Sequence, residues 1–326
     1  MTRQTFFCSE LSRRAAEKTY GTASVGDVWL LIEYASAWGA HALEDSDLPA
    51  HVKKHLARTV RSAPRGRLLF IKQESAIEQR REAVVREGFD LFIVRTRERD
   101  PFVLKFRLES YEQLLEVNLA AFASREGNVP LELAGARGLV SRAPLFLVCT
   151  HGRRDKCCAK FGYALYKTLR ERVGASIWQS SHVGGDRFAA NLISFPHGHF
   201  HAHVSDEMGG RIVEEYAHGR LVVEGYRGRA CYGAGVQAAE FFIRRESGLD
   251  GVDEFSLLHR EQEADGGLRV RFLARTDGRL HEATVSCGES PFSNYITCHA
   301  TEQRRVVQYA LEDYRVVEAA DKRQES

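Results

Sequence analysis

Three of the seven cysteines fall inside one ten-residue window, Cys149-Thr150-His151-Gly152-Arg153-Arg154-Asp155-Lys156-Cys157-Cys158. Cys149 closes a short apolar run that reads as a strand. Asp155 stands where a helix N-cap belongs, so Cys157 and Cys158 fall in the first helical turn. The unpaired N–H groups and dipole of a helix start favour a thiolate, as do Arg153, Arg154 and Lys156 around it, and thiolate is the form that binds metal. A second window, Ser181-His182-Val183-Gly184-Gly185-Asp186, follows the neighbouring parallel strand and opens at the same sheet edge as Cys149. The Gly-Gly pair lets the backbone fold closely round a bound group, and a histidine with a carboxylate completes a coordination sphere begun by two thiolates. Each window alone also has a plainer reading: a buried thiol is an ordinary core residue, and Gly-Gly-Asp is a turn.

The elements that must position these residues follow from apolar periodicity. Strands are expected at Val28–Tyr34 and Arg67–Lys72, with a helix over Pro49–Val60 between them. A charged helix over Ala76–Glu87, a strand pair at Asp90–Thr96 and Phe102–Leu108, and a helix from Ser110 to Ala123 complete a β-α-β-α-β-β-α order. After a Gly/Ala-rich stretch the order recurs: strand Leu145–Cys149, helix Lys156–Val173, strand Ser176–Ser181, a pair at Ala189–Phe195 and His199–Ser205, and a helix capped by Asp206. A βαβ unit followed by ββα is the thioredoxin-like layout, so an α/β fold of tandem thioredoxin-like halves is expected. Beyond Tyr226 come a helix over Val236–Glu246 and short strands from Phe255 to Val317, a small C-terminal antiparallel β appendage. The expected units are thus 1–140, without a cysteine site, 141–225, and 226–326.

Lysine plus arginine number 46 against 44 acids, a near-neutral balance with no footprint for nucleic acid or a membrane surface. No apolar run is long enough to span a bilayer, and Glu10 and Arg13 interrupt any signal-peptide core, so a cytoplasmic protein is expected. His197, His199, His201 and His203 alternate on a strand, and the simplest expectation is an exposed polar hairpin face. Arg227, Arg229, Arg244 and Arg245 read as solvated surface, and Cys287 and Cys298 as a pair that nothing activates.

Both windows, in this order and spacing, resemble the sucrase/ferredoxin-like family, whose signature domain is similar to thioredoxin-like [2Fe–2S] ferredoxins. Phe7-Cys8-Ser9-Glu10, Gly21-Thr22-Ala23, Tyr226-Arg227-Gly228-Arg229 and Val236-Gln237-Ala238-Ala239-Glu240 resemble bacterial members. The resemblance implies a cluster held by two cysteines and two histidines, falling here on Cys149, Cys158 and His182, with Asp186 in the place of the second histidine. Asp186 or Cys157 then supplies the fourth ligand, or the site is retuned for another metal. An electron-transfer protein is the implied function, served by a separate reductase or acceptor protein, since the chain carries no Gly-rich dinucleotide fingerprint or Walker loop. The competing readings are a mononuclear zinc site on the same ligands, a thiol oxidoreductase, which the lack of Cys-x-x-Cys disfavours, and a scaffold with a vestigial site.

Overall fold

The computed structural model describes residues 6–73, 88–123, 129–264 and 266–317. The helix expected over Ala76–Glu87 lies outside the described residues. A short helix α1 (Cys8–Arg14) precedes β1 (Val28–Glu33), α2 (Ala50–Ser62), β2 (Gly66–Lys72), β3 (Phe89–Arg95) and β4 (Phe102–Leu108). Three short strands follow, β5 (Glu132–Leu133), β6 (Ala136–Arg137) and β7 (Leu139–Ser141). The second half comprises β8 (Leu145–Cys149), α3 (Tyr163–Val173), β9 (Ile177–Ser180), β10 (Leu192–Phe195), β11 (His199–His201), α4 (Asp206–Ala217) and β12 (Tyr226–Arg229). Helix α5 (Ala234–Ser247) then leads into β13 (Phe255–Gln262), β14 (Leu268–Ala274), β15 (Leu280–Asn294) and β16 (Arg304–Val317), a separate four-stranded antiparallel sheet.

In each half the strands come in the expected order. β2-β1-β3-β4 and β9-β8-β10-β11 each contain one parallel pair, with the remaining neighbours antiparallel. The halves do not form two separate sheets, however. Antiparallel pairing of Ile71 with Ser180 and Lys72 with Gln179 joins them into one ten-stranded sheet. Ser181 extends the seam: its N–H donates to the Phe70 carbonyl at 2.7 Å and its hydroxyl accepts from the Phe70 N–H at 3.0 Å. The packing explains the merger. Trp29, Leu31, Leu69, Ile71 and Phe92 from the first half share one buried cluster with Leu147, Trp178, Ile193, Phe195 and Phe200 from the second. Neither half closes that cluster alone, and fusing the edges also pairs backbone groups that would otherwise stand open.

Several elements depart from expectation for identifiable reasons. The stretch from Ser110 to Ala123 is two 3₁₀ turns rather than one helix. The Val117 carbonyl between them accepts from Thr59 Oγ1 at 3.0 Å and pairs with His55 Nε2 at 2.9 Å, while the Leu119 N–H donates to Thr59 Oγ1. The polar side chains of α2 thus take over backbone groups that a continuous helix would use itself. Helix α4 is capped by Ser205, whose hydroxyl accepts from the Met208 N–H, one residue before the expected cap.

Arg245 is exposed as expected, but three of the four arginines and the histidines at 199 and 201 are buried. Arg227, Arg229 and Arg244 are each about 1% exposed rather than solvated. Arg244 pairs with Glu240 at 2.9 Å, and Glu240 also accepts from the Tyr226 hydroxyl at 3.0 Å. His199 and His201 have no exposed surface; His199 bridges Tyr226 and the Val252 carbonyl, and His201 Nε2 lies 2.8 Å from the Val222 carbonyl. His203 leaves the strand at φ 53 and faces Ser9 and Ser12 of α1. The expected exposed histidine face is therefore largely interior: β12 covers the edge of β11, and Tyr216 of α4 and Tyr226 of β12 pack against the His199 ring.

Two predictions follow from these contacts. A fragment of residues 19–142 exposes the β2 edge, so its sedimentation mass should rise with concentration. A monomeric, protease-resistant fragment would mean that β2 needs no partner. Burial pushes His201 down to about 4, from an ordinary value of 6.5. The native state therefore refuses a proton that the unfolded chain accepts. The associated stability is complete above about pH 6.5 and is lost as pH falls towards 4, by at most about 3 kcal/mol. His201→Gln keeps a donor without the titration, and denaturant midpoints across that window should show a shallower pH slope for it than for the natural chain.

Candidate metal centre

Two residues shape the turn after β8. The Asp155 carboxylate accepts the Cys157 N–H at 2.8 Å, capping the helix start as expected. Cys158–Gly162 forms a single π-helical turn before α3 begins. Gly162 lies so close to β8 that a Cβ there would stand 1.9 Å from the Cys149 carbonyl oxygen, which only the absence of a side chain permits. This contact brings the helix start onto the end of the strand and Cys158 to Cys149.

Cys149, Cys158 and His182 converge, with their ligand atoms all within 4.8 Å of one another. Cys149 Sγ lies 3.9 Å from His182 Nδ1, and Cys158 Sγ 3.9 Å from Asp186 Oδ1. His182 Nδ1 and Asp186 Oδ1 are 3.1 Å apart, so the carboxylate adjoins the three soft donors. Both cysteines are buried, and the His182 side chain retains 20% exposure. Two long-range anchors hold the histidine loop. The His182 N–H donates to His151 Nδ1 at 3.1 Å, which fixes His151 as the Nε2–H tautomer donating to the Gly39 carbonyl at 2.6 Å. Arg227 donates to the Gly184 carbonyl at 3.1 Å and to Asn191 Oδ1 at 2.8 Å. Gly185, at φ 80, passes so close to Arg227 that a Cβ would sit 2.6 Å from its guanidinium.

The electrostatics single out Cys149 as the anionic donor of the group. Cys149 is held well below the ordinary thiol value by a hydrogen bond from the Cys158 thiol, helped against burial by His182 and the His151 N–H. Cys158, as the donor of that pair, is raised well above it. Burial pulls His182 down, but Cys149 and Asp186 outweigh it and the net shift is upward. Burial raises Asp186 to about 6 despite His182. A buried carboxylate beside a thiolate is costly without a cation, and a metal ion is the cation that two thiolates, an imidazole and a carboxylate jointly suit.

Cys157 turns away from this group. Its Sγ lies 3.6 Å from that of Cys8 and 3.2 Å from that of Cys298, and Cys298 Sγ is 3.5 Å from Cys8 Sγ. Together with Asp155 these form a second set of potential ligands within 4.8 Å. Cys8 thus joins this group from the N-terminal unit in which no cysteine site was expected, because α1 carries it across. Cys298 is likewise not paired with Cys287, which is exposed on β15 opposite Tyr309 of β16. Phe7-Cys8-Ser9-Glu10 carried part of the family resemblance, but nothing in the sequence joined Cys8 or Cys298 to Cys157, since each lies more than 140 positions from it.

Among the described residues no helix is long and apolar enough to cross a membrane. No curated protein and no solved structure matches the chain. The sucrase/ferredoxin-like family model matches residues 19–228, a span that contains Cys149, Cys157, Cys158, His182 and Asp186 but neither Cys8 nor Cys298. With nearly two thirds of its length in that match, the chain belongs to the sucrase/ferredoxin-like family.

Proposed function

We propose that this protein is an electron carrier that holds a [2Fe–2S] cluster on Cys149, Cys158, His182 and Asp186. The observation that carries this reading is the convergence of two buried thiols and a histidine at the β8 and β9 ends of a sucrase/ferredoxin-like chain, with the Asp186 carboxylate 3.1 Å from the histidine and 3.9 Å from Cys158 Sγ. Such a cluster accepts and gives up one electron, at a potential raised when histidine replaces thiolate. The chain's own residues bind, orient and shield. Cys149 and Cys158 supply the soft anionic donors, and the Gly162 contact fixes their separation. His151 and Arg227 hold the His182–Asp186 loop in place. The partly exposed His182 gives the site its route to solvent and to a partner, a separate reductase or acceptor protein in a cytoplasmic setting.

One observation favours a second reading, a single zinc ion. Cys149, Cys158 and His182 lie within 4.8 Å of one another, close to the ~3.8 Å edge of a tetrahedron with ~2.3 Å bonds to sulfur, whereas a two-iron cluster divides its ligands between two metal ions.

Protein purified without oxygen separates the two. Iron with acid-labile sulfide and visible bands that bleach on reduction support the cluster. Stoichiometric zinc that depends on Cys149 and Cys158, in colourless protein, supports the second reading. Cys149→Ser and Cys158→Ser should each abolish metal at this site, because a hydroxyl is not a soft anionic ligand at neutral pH, while Cys287→Ser should change nothing. An unchanged spectrum in either of the first two variants would remove the assignment.

The fourth ligand has its own test. Asp186→Ala should weaken metal retention and Asp186→His should strengthen it or shift the spectrum. Cys157→Ser should leave this site's spectrum intact, since its thiol faces Cys8 and Cys298. Loss of the spectrum in Cys157→Ser with full retention in Asp186→Ala would reverse the assignment.

A further inference from the structure

We propose that Cys8, Cys157, Cys298 and Asp155 form a second metal site, of the structural zinc class, which pins both ends of the chain to the turn carrying the first. The inference does not depend on what the first site binds.

The three sulfurs form a triangle with sides of 3.2, 3.5 and 3.6 Å. These separations far exceed the ~2.05 Å of a disulfide and approach the ~3.8 Å edge expected for thiolates on one zinc ion. Asp155 supplies the fourth vertex. Its oxygens accept the N–H groups of Cys157 at 2.8 Å and Cys298 at 2.7 Å, which orients the carboxylate, and both lie 3.9 Å from Cys8 Sγ. Each carboxylate oxygen has two acceptor positions, so these bonds leave one free on each for a metal. The backbone donates to the sulfurs as well, from Cys8 N to Cys298 Sγ at 3.4 Å and from Ser9 N to Cys157 Sγ at 3.5 Å. Donors aimed at sulfur stabilise thiolate, the ligating form, and orient it.

The surroundings suit such a centre. Cys8, Cys157 and Asp155 have no exposed surface, and half-buried Cys298 leaves an entry side. Three thiolates and a carboxylate carry four negative charges, which a divalent ion reduces to two. Lys156, Lys160 and Arg13 stand round the rim over the rings of Phe7 and Phe161. An ordinary apolar thiol cluster would need neither the buried carboxylate nor this ring of cations. The site also answers a structural need. Helix α1 has seven residues, too few to stand unaided, and the 295–303 connection that carries Cys298 contains no helix or strand. Binding releases the thiol protons, so retention should weaken in acid.

Metal analysis of the full-length chain tests the proposal. The natural protein should hold about one zinc ion per chain that survives in Cys149→Ser/Cys158→Ser and is lost in Cys298→Ser. Cys298→Ser should meanwhile keep the metal and spectrum of the first site. In chelator-stripped Cys149→Ser/Cys158→Ser protein, added cobalt(II) should produce thiolate-to-cobalt charge-transfer absorption that zinc displaces and Cys298→Ser diminishes. Zinc-free natural protein would overturn the proposal. So would a disulfide among Cys8, Cys157 and Cys298 in peptide mass spectra, or a cobalt spectrum indifferent to Cys298→Ser.

Discussion

Successive residues of a helical turn point about 100° apart, so two adjacent cysteines cannot both face one centre without distorting the turn. The junction after β8 accepts this constraint. Cys158 turns inward to Cys149 and Cys157 turns outward to Cys8 and Cys298. The rest of the arrangement depends on holding that turn in one place. Gly162 lets the helix start press against the Cys149 carbonyl, and Asp155 caps the turn from the other side. A side chain at position 162 would lift the helix from β8 and move Cys158 away from Cys149, while leaving the sequence of ligands unchanged.

The ten-stranded sheet gives this turn a fixed frame. β8 lies between β9 and β10, and β9 is bonded in turn to β2 of the first half, so the strand ends bearing Cys149 and His182 cannot move independently. Ser181 bonds to Phe70 one residue before His182. The first half thus holds one edge of the candidate centre, while Arg227 on β12 holds the Gly-Gly loop. A guanidinium without exposed surface is expensive to bury; here it is satisfied by Thr22, Gly184 and Asn191, contacts that fix the loop's position as well as its charge environment.

What was legible in the sequence is what local order dictates. The repeated β-α-β, β-β-α succession was readable because apolar period and turn residues act over a few positions, and the Cys149, Cys158 and His182 windows because strand ends in an α/β unit open at one edge. The seam between β2 and β9 was not, since nothing in either strand names its partner across more than a hundred residues. Alternation placed His199 and His201 on one face but could not say that β12 and α4 would cover it. Arg227 and Arg229 read as surface because their partners are remote in sequence, as Thr22 and Asn191 are for Arg227 and Glu98 is for Arg229, whereas Arg244 has its partner Glu240 one turn away and is buried by the packing around α5. The joining of Cys8 and Cys298 to Cys157 was illegible through the same remoteness in sequence. Each is a lone thiol until the fold brings three together.

The two candidate centres are also joined electrostatically. Asp155 belongs to the outer group, yet its charge raises both Cys158 and Asp186 of the inner one. Several buried acids within a single turn and loop oppose one another's ionisation, and the arginines and lysines nearby lie mostly on the rim. A divalent cation in the outer group would offset the Asp155 charge, but it arrives with three thiolates and leaves that group at about −2 by formal count, so it does not ease ionisation of Cys158 and Asp186. The inner donors must therefore be stabilised by a cation of their own, and the Coulomb interaction between the groups gives no reason for the two sites to fill together. The same turn that separates the thiols geometrically keeps them close enough to share this field.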